Sequence, residues 1–214
     1  MLDAPIDRTI ETFTSALQTA TCNDSPWRHW LLRDALPGDV IDRILALPYR
    51  APVKSQFDGR RETNNSTRVF FDRDAQSHHP VCAELGAVFR DRRTVEAIEA
   101  ACGLDLSAAR GRIEYTQDVD GFWLEPHTDI RVKLFTMLIY LSDDPALADA
   151  GTDIYDATGK VHLGASPYGR GLGLIFLPAG DTWHGFEPRP IRGVRKSLIV
   201  NYVSPEWRAT DELV

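Results

Sequence analysis

His127 and Asp129 stand two positions apart in Glu125-Pro126-His127-Thr128-Asp129. On an extended chain that spacing sends both side chains to one face. A neutral imidazole and a carboxylate aimed at one point form two-thirds of the 2-His-1-carboxylate facial triad. That donor set holds non-haem Fe(II) and leaves coordination positions open. A lone His-x-Asp is common on polar surfaces, so the chemistry depends on a third donor. His184 supplies the candidate, 55 positions after Asp129, in Leu177-Pro178-Ala179-Gly180-Asp181-Thr182-Trp183-His184-Gly185.

Eleven positions beyond His184, an arginine interrupts an apolar run, Val194-Arg195-Lys196-Ser197-Leu198-Ile199-Val200-Asn201. Period-two geometry places Arg195, Ser197, Ile199 and Asn201 on one face and Lys196 on the other. A guanidinium on such a strand is costly to bury without an anion. No obvious acid stands nearby in sequence, so a ligand carboxylate is the expected partner. The guanidinium fork suits a carboxylate bidentately, and Ser197 Oγ can add a hydrogen bond. Arg192 and Lys196 are the competing cations, both expected to be solvated.

The ordered set His127-x-Asp129, His184 and Arg195-x-Ser197 resembles the signature of the Fe(II)/2-oxoglutarate-dependent oxygenase superfamily. Over about residues 110–203 the texture is most similar to its small prolyl-4-hydroxylase-like members. Thr136-Met137-Leu138-Ile139-Tyr140-Leu141-Ser142 resembles the strand after the metal motif, and Gly151-Thr152-Asp153 resembles the Gly-rich turn. Gly169 and Gly171 precede Leu174-Ile175-Phe176 in the same manner. The resemblance implies a double-stranded β-helix, Fe(II) as cofactor, 2-oxoglutarate and O2 as cosubstrates, and succinate and CO2 as co-products. Arg195 and Ser197 would then hold the far carboxylate of 2-oxoglutarate. Tyr115, twelve positions before His127, and Tyr140 would lie near the cosubstrate, against the alternative that both are core aromatics. Halogenating relatives carry a small residue in place of Asp129, so the acid here favours C–H oxidation.

The elements that must position these residues divide the chain in two. Ile10, Phe13, Leu17 and Ala20 recur at helical spacing, which predicts a helix over 7–21. Residues 21–26 read as a polar loop before Trp27-Arg28-His29-Trp30-Leu31-Leu32. Pro37-Gly38-Asp39 opens a short helix to about Leu47, and extended stretches follow at 51–58 and 66–71. A helix over 80–102, with a possible break at Asp91-Arg92-Arg93, ends at Gly103. Beyond it, short extended runs alternate with Gly, Pro and Asp turns at 109–117, 122–127, 133–141, 152–155, 160–164, 172–177, 183–187 and 194–203. Eight such runs predict a β-sandwich or jelly-roll barrel, and the fold class is α+β, mainly β, with N-terminal helices braced against the barrel. The expected organisation is one domain: a helical and edge-strand part over 1–108, a barrel over 109–203 and a tail over 204–214.

With 214 residues and 43% hydrophobic residues, the composition is that of a globular chain. No apolar run approaches the roughly 20 residues of a membrane span. Residues 1–20 read as an amphipathic segment with acids rather than a signal peptide. Cys22, Cys82 and Cys102 lack paired spacing, which makes a reducing, cytoplasmic setting the default. A formal charge of −7 disfavours a nucleic-acid backbone as partner. The expected partner is a small-molecule or amino-acid-like substrate, with no nucleic acid and no membrane. Arg68, Trp123 and Arg131 are its candidate contacts, against ion-paired or packing roles. His78-His79 reads as polar loop and His162 as an outward side chain. The competing functions are a non-catalytic cupin-like metal- or ligand-binding protein and a nucleic-acid dealkylase of the same superfamily. Arg189 and Arg195 have the mutual spacing of the dealkylases' paired arginines but stand too close to His184.

Overall fold

The alternation of apolar and polar positions along residues 110–203 folds into two antiparallel sheets. The computed structural model describes residues 4–53, 57–60 and 68–214. Its helices are α1 (Ala4–Gln18), α2 (Gly38–Leu45), α3 (Arg73–His78), α4 (Pro80–Arg90) and α5 (Arg92–Cys102). Three short strands, β1 (Thr21–Asn23), β2 (His29–Leu32) and β3 (Val69–Phe70), come from the first half. The second half supplies β4 (Arg110–Asp118), β5 (Leu124–His127), β6 (Lys133–Tyr140), β7 (Asp153–Tyr155), β8 (His162–Ala165), β9 (Gly173–Phe176), β10 (His184–Phe186) and β11 (Arg195–Val203). The larger sheet runs β1-β2-β9-β6-β11-β4-β3, and the smaller runs β5-β10-β7-β8.

The two faces of the larger sheet do different work. Ile113, Tyr115, Met137, Ile139, Leu198 and Val200 point to one side, where they pack with Phe13, Ile44, Leu85 and Phe89 of the helices. Leu138, Tyr140, Leu174 and Phe176 point to the other, where they meet Ile154 and Phe186 of the smaller sheet. Each such fully buried side chain stabilises by roughly 1.5–3 kcal/mol. The helices therefore hold the larger sheet rigid from outside while its inner face stays available for a cavity between the sheets.

Close approach closes the turn before β7. A Cβ on Gly151 would lie 1.7 Å from the Ser166 carbonyl oxygen, so only glycine lets β7 and β8 meet there. The helical stretch over 80–102 is two helices. Asp91 leaves helical geometry (φ −65°, ψ 134°) and its carboxylate accepts from the Arg93 amide, capping α5. Gly103 then ends α5 in the left-handed region (φ +74°).

Four local expectations change. Residues 21–23 form edge strand β1 rather than loop, because their backbone pairs with Leu31, Trp30 and His29. Asp72 accepts from the Ala75 amide and nucleates α3, so His78 ends a helix and His79 precedes the next. Residues 51–53 and 57–58 carry no strand, and 54–56 lie outside the described residues. The stretch expected at 66–71 is strand only over Val69–Phe70, with 66–67 outside the described residues.

Candidate metal centre and its cavity

Register across the smaller sheet makes the centre. His127 ends β5 and His184 begins β10, and the two are direct partners in the ladder. Their rings stand 4.4 Å apart between centroids. Asp129 follows two residues past His127, where the chain has left the strand. One ligand atom from each of His127, Asp129 and His184 lies within 4.8 Å of the others. Among the described residues no other group brings three such donors together.

The surroundings fix the state of each donor. His184 Nδ1–H donates to the Thr182 carbonyl at 2.9 Å, and His127 Nδ1–H donates to the Glu125 carbonyl at 2.9 Å. A carbonyl only accepts, so each ring in its neutral form carries its proton on Nδ1 and turns the Nε2 lone pair to a metal. Burial, then the neighbouring His127, pushes the His184 imidazole down to about 3, which keeps it neutral. Asp129 is held at both oxygens: Lys133 Nζ donates to Oδ1 at 2.9 Å and Thr136 Oγ1 to Oδ2 at 2.8 Å. Two imidazoles and an oriented carboxylate fit Fe(II).

Lys133 and Thr136 are additions to the residues singled out by motif. They belong to a buried chain that reaches the C-terminus. Asn201 Nδ2 donates to Thr136 Oγ1 at 2.9 Å, and Arg112 Nη1 donates to Asn201 Oδ1 at 3.2 Å. Arg112 Nε in turn donates to Glu212 at 2.6 Å. Thr136 and Asn201 are cross-strand partners, a register that neither strand's own pattern reveals.

A narrow cavity of about 60 Å³ runs from the triad between the sheets. Leu138, Phe122, Phe186 and Ile199 give it apolar walls, and Arg195 closes the far part with Asp118 and Thr152. The expectation that Arg195 lacks an acid is overturned. Its Nη1 donates to Asp118 Oδ2 at 2.6 Å, its Nε to the Ala150 carbonyl at 2.7 Å and its Nη2 to Thr152 Oγ1 at 3.4 Å. Asp118 is 77 residues away in sequence but directly opposite in the ladder of β4 and β11. Scanning neighbours along the chain could not find it.

The remaining candidates separate. Tyr140 sits beside Arg195, ring centroid to Cζ 5.7 Å, and its hydroxyl bonds Thr152 Oγ1 at 2.8 Å and Ser166 Oγ at 2.6 Å. Ser197 shares the Arg195 face and is fully buried, with no hydrogen-bond partner for Oγ among the described residues. Tyr115 is a correction: strand parity turns it to the helix side, into the outer core and away from the cavity. Arg68 does line the cavity, with Nη1 donating to Glu114 at 2.7 Å. Trp123 stands outside the cavity lining and pins an adjoining segment, its indole N–H donating to the Phe57 carbonyl at 3.0 Å. Arg131 stands apart from the cavity. It is exposed, and it lines a separate surface groove with Ile130 and Trp207. Arg189 donates to Asp153 at 2.8 Å and to the Gly151 carbonyl at 3.0 Å, outside the cavity lining.

No protein-family model matches the chain, and no curated protein matches it in sequence. Solved structures do match in fold. A Pseudomonas putida prolyl-4-hydroxylase superposes with a TM-score of 0.60 at 19% identity, over 91% of this chain and 98% of that one. An oxidoreductase of the 2OG-Fe(II) oxygenase family from Burkholderia pseudomallei gives 0.57 at 15% identity, over 91% and 89%. The non-heme alpha ketoglutarate dependent epimerase SnoN from nogalamycin biosynthesis gives 0.54 at 13% identity, over 92% and 84%. The chain therefore has the double-stranded β-helix fold of these oxygenase structures.

Proposed function

We propose that this protein is an Fe(II)- and 2-oxoglutarate-dependent dioxygenase that oxidises a C–H bond, most simply by hydroxylation, of a small molecule or amino-acid-like side chain. The observation that carries this reading is the convergence of His127, Asp129 and His184 on a cavity whose far end holds a buried arginine. Iron held by the triad would supply the oxidative chemistry with 2-oxoglutarate and O2, leaving succinate and CO2. This chain's residues do the rest. Lys133 and Thr136 aim the Asp129 carboxylate, and Arg195, flanked by Thr152 and Tyr140, faces the far carboxylate of the cosubstrate. Leu138, Phe122, Phe186 and Ile199 keep water from the cavity walls. Similar folds serve a prolyl-4-hydroxylase and an epimerase, so the fold by itself leaves the substrate open.

The nucleic-acid dealkylase reading loses ground because Arg189, one of its two arginines, stands outside the cavity lining. A ligand-binding cupin-like protein is separated by turnover. Protein held without oxygen, with Fe(II) and 2-oxoglutarate added, is expected to develop a weak visible charge-transfer band. Admitting air over a metabolite panel should then release succinate. Absence of both the band and calorimetric binding of 2-oxoglutarate would sink the oxygenase reading, and binding without succinate release would favour the ligand-binding one.

A further inference from the structure

We propose that Asp118 is a specificity-determining residue at the far end of the cavity. It offsets the Arg195 charge, so that a 2-oxo acid with an uncharged tail competes with 2-oxoglutarate. The inference rests on the oxygenase reading above and concerns which cosubstrate that site prefers.

The pair is built into the sheet. Arg195 and Asp118 are direct partners in the β11–β4 ladder, and Oδ2 accepts from Nη1 at 2.6 Å. Each of the three guanidinium nitrogens has a protein acceptor, with Ala150 and Thr152 taking Nε and Nη2. The Phe186 ring at 4.9 Å and the Tyr140 ring at 5.7 Å confine the group further. Arg195 and Asp118 are both at least nine-tenths buried, so water screens neither charge well.

The other cations lining the cavity have carboxylates of their own. Lys133 bonds Asp129, and its backbone pairs with Val203, at the opposite end of β11 from Arg195. Arg68 lies within electrostatic reach of Asp118, but its hydrogen-bond partner is Glu114, opposite Ile199 in the same ladder, and that pair adds no net charge. The Arg195 end therefore presents donors and hydroxyls with a net charge near zero. A cosubstrate carboxylate arriving there gains the guanidinium but meets a second carboxylate on it. An uncharged tail avoids that repulsion.

The test is calorimetry on the full chain loaded with Mn(II), titrated with 2-oxoglutarate and with 2-oxopentanoate, which has the same chain length and no far carboxylate. Wild type should prefer 2-oxoglutarate by less than about tenfold. Asp118→Asn, which keeps the shape and an acceptor for Nη1, should tighten 2-oxoglutarate by roughly tenfold to a hundredfold, the scale of one like charge in a partly screened interior. Binding of 2-oxopentanoate should change little. A wild-type preference above about tenfold overturns the inference without any variant, which covers the case in which Asp118→Asn does not fold. It is equally overturned if the variant leaves the ratio unchanged or weakens 2-oxoglutarate, since Asp118 would then only brace the guanidinium. If neither acid binds wild type, the oxygenase reading has failed and takes the inference with it.

Discussion

Replacing Arg195 by leucine removes more than a candidate anchor, because it strands Asp118 in the interior without its partner. Breaking a buried pair from one side costs about 3–5 kcal/mol, chiefly the desolvation of the charge left behind. Arg195→Leu should therefore lower the urea midpoint markedly, and adding Asp118→Asn should recover much of that loss. Equal midpoints for wild type and Arg195→Leu would mean that the pair contributes nothing to folding. The same variant would lose 2-oxoglutarate affinity for two reasons at once, anchor and fold, which only the double variant separates. His184 differs in kind: its carbonyl partner and its burial prepare it for a ligand, and its loss leaves no charge stranded.

Local chemistry decides where the elements begin and stop. Asp91 ends α4 and caps α5 in a single residue, its carboxylate accepting from the Arg93 amide at 2.9 Å. Asp91→Ala should cost about 0.5–2 kcal/mol, the usual range for a lost N-cap. The Arg93 side chain, first among the causes, holds the Asp91 carboxyl below its ordinary value of 3.8. A depressed folded value means that the unfolded state binds the proton more readily. The cap's ionic contribution is therefore present above about pH 4 and is lost as pH falls through the folded value. Urea midpoints of wild type and Asp91→Ala, compared from pH 7 to pH 3, should converge at the acid end. A gap that widens on acidification would contradict this account.

Across the whole molecule, metal binding at the triad would be coupled to folding, because its donors come together only when β5 and β10 pair. A ligand that binds only the native state stabilises it by about 2.7 kcal/mol at a hundred times its Kd. For a chain of this length that corresponds to roughly 5–10 °C in Tm. Mn(II) should raise Tm by that amount and a chelator should reverse it, whereas His184→Ala should show little of the shift. An undiminished shift in that variant would place the ion elsewhere. The C-terminal segment belongs to the same unit. Leu213 bridges Arg112, and Glu212, Arg112, Asn201 and Thr136 link that segment to Asp129. The described helices include none long and apolar enough to cross a membrane.

Much of this was legible in the sequence. The eight strand runs of the second half coincide with β4–β11 to within about two residues at each end. Alternation at period two follows from the pleat, and turn residues stop strands wherever they fall, so both act locally. The triad was legible as an ordered set: His127 and Asp129 stand two positions apart, and the resemblance of the whole set to a known signature added His184, although the register that sets it opposite His127 is tertiary. Ladder register was not. It set Asp118 against Arg195 and Asn201 against Thr136. The side to which β4 turns its odd residues likewise removed Tyr115 from the cavity. A strand's own pattern specifies which residues share a face. Which face meets the helices, and which residue of a distant strand stands opposite, is decided by the packing of the whole chain.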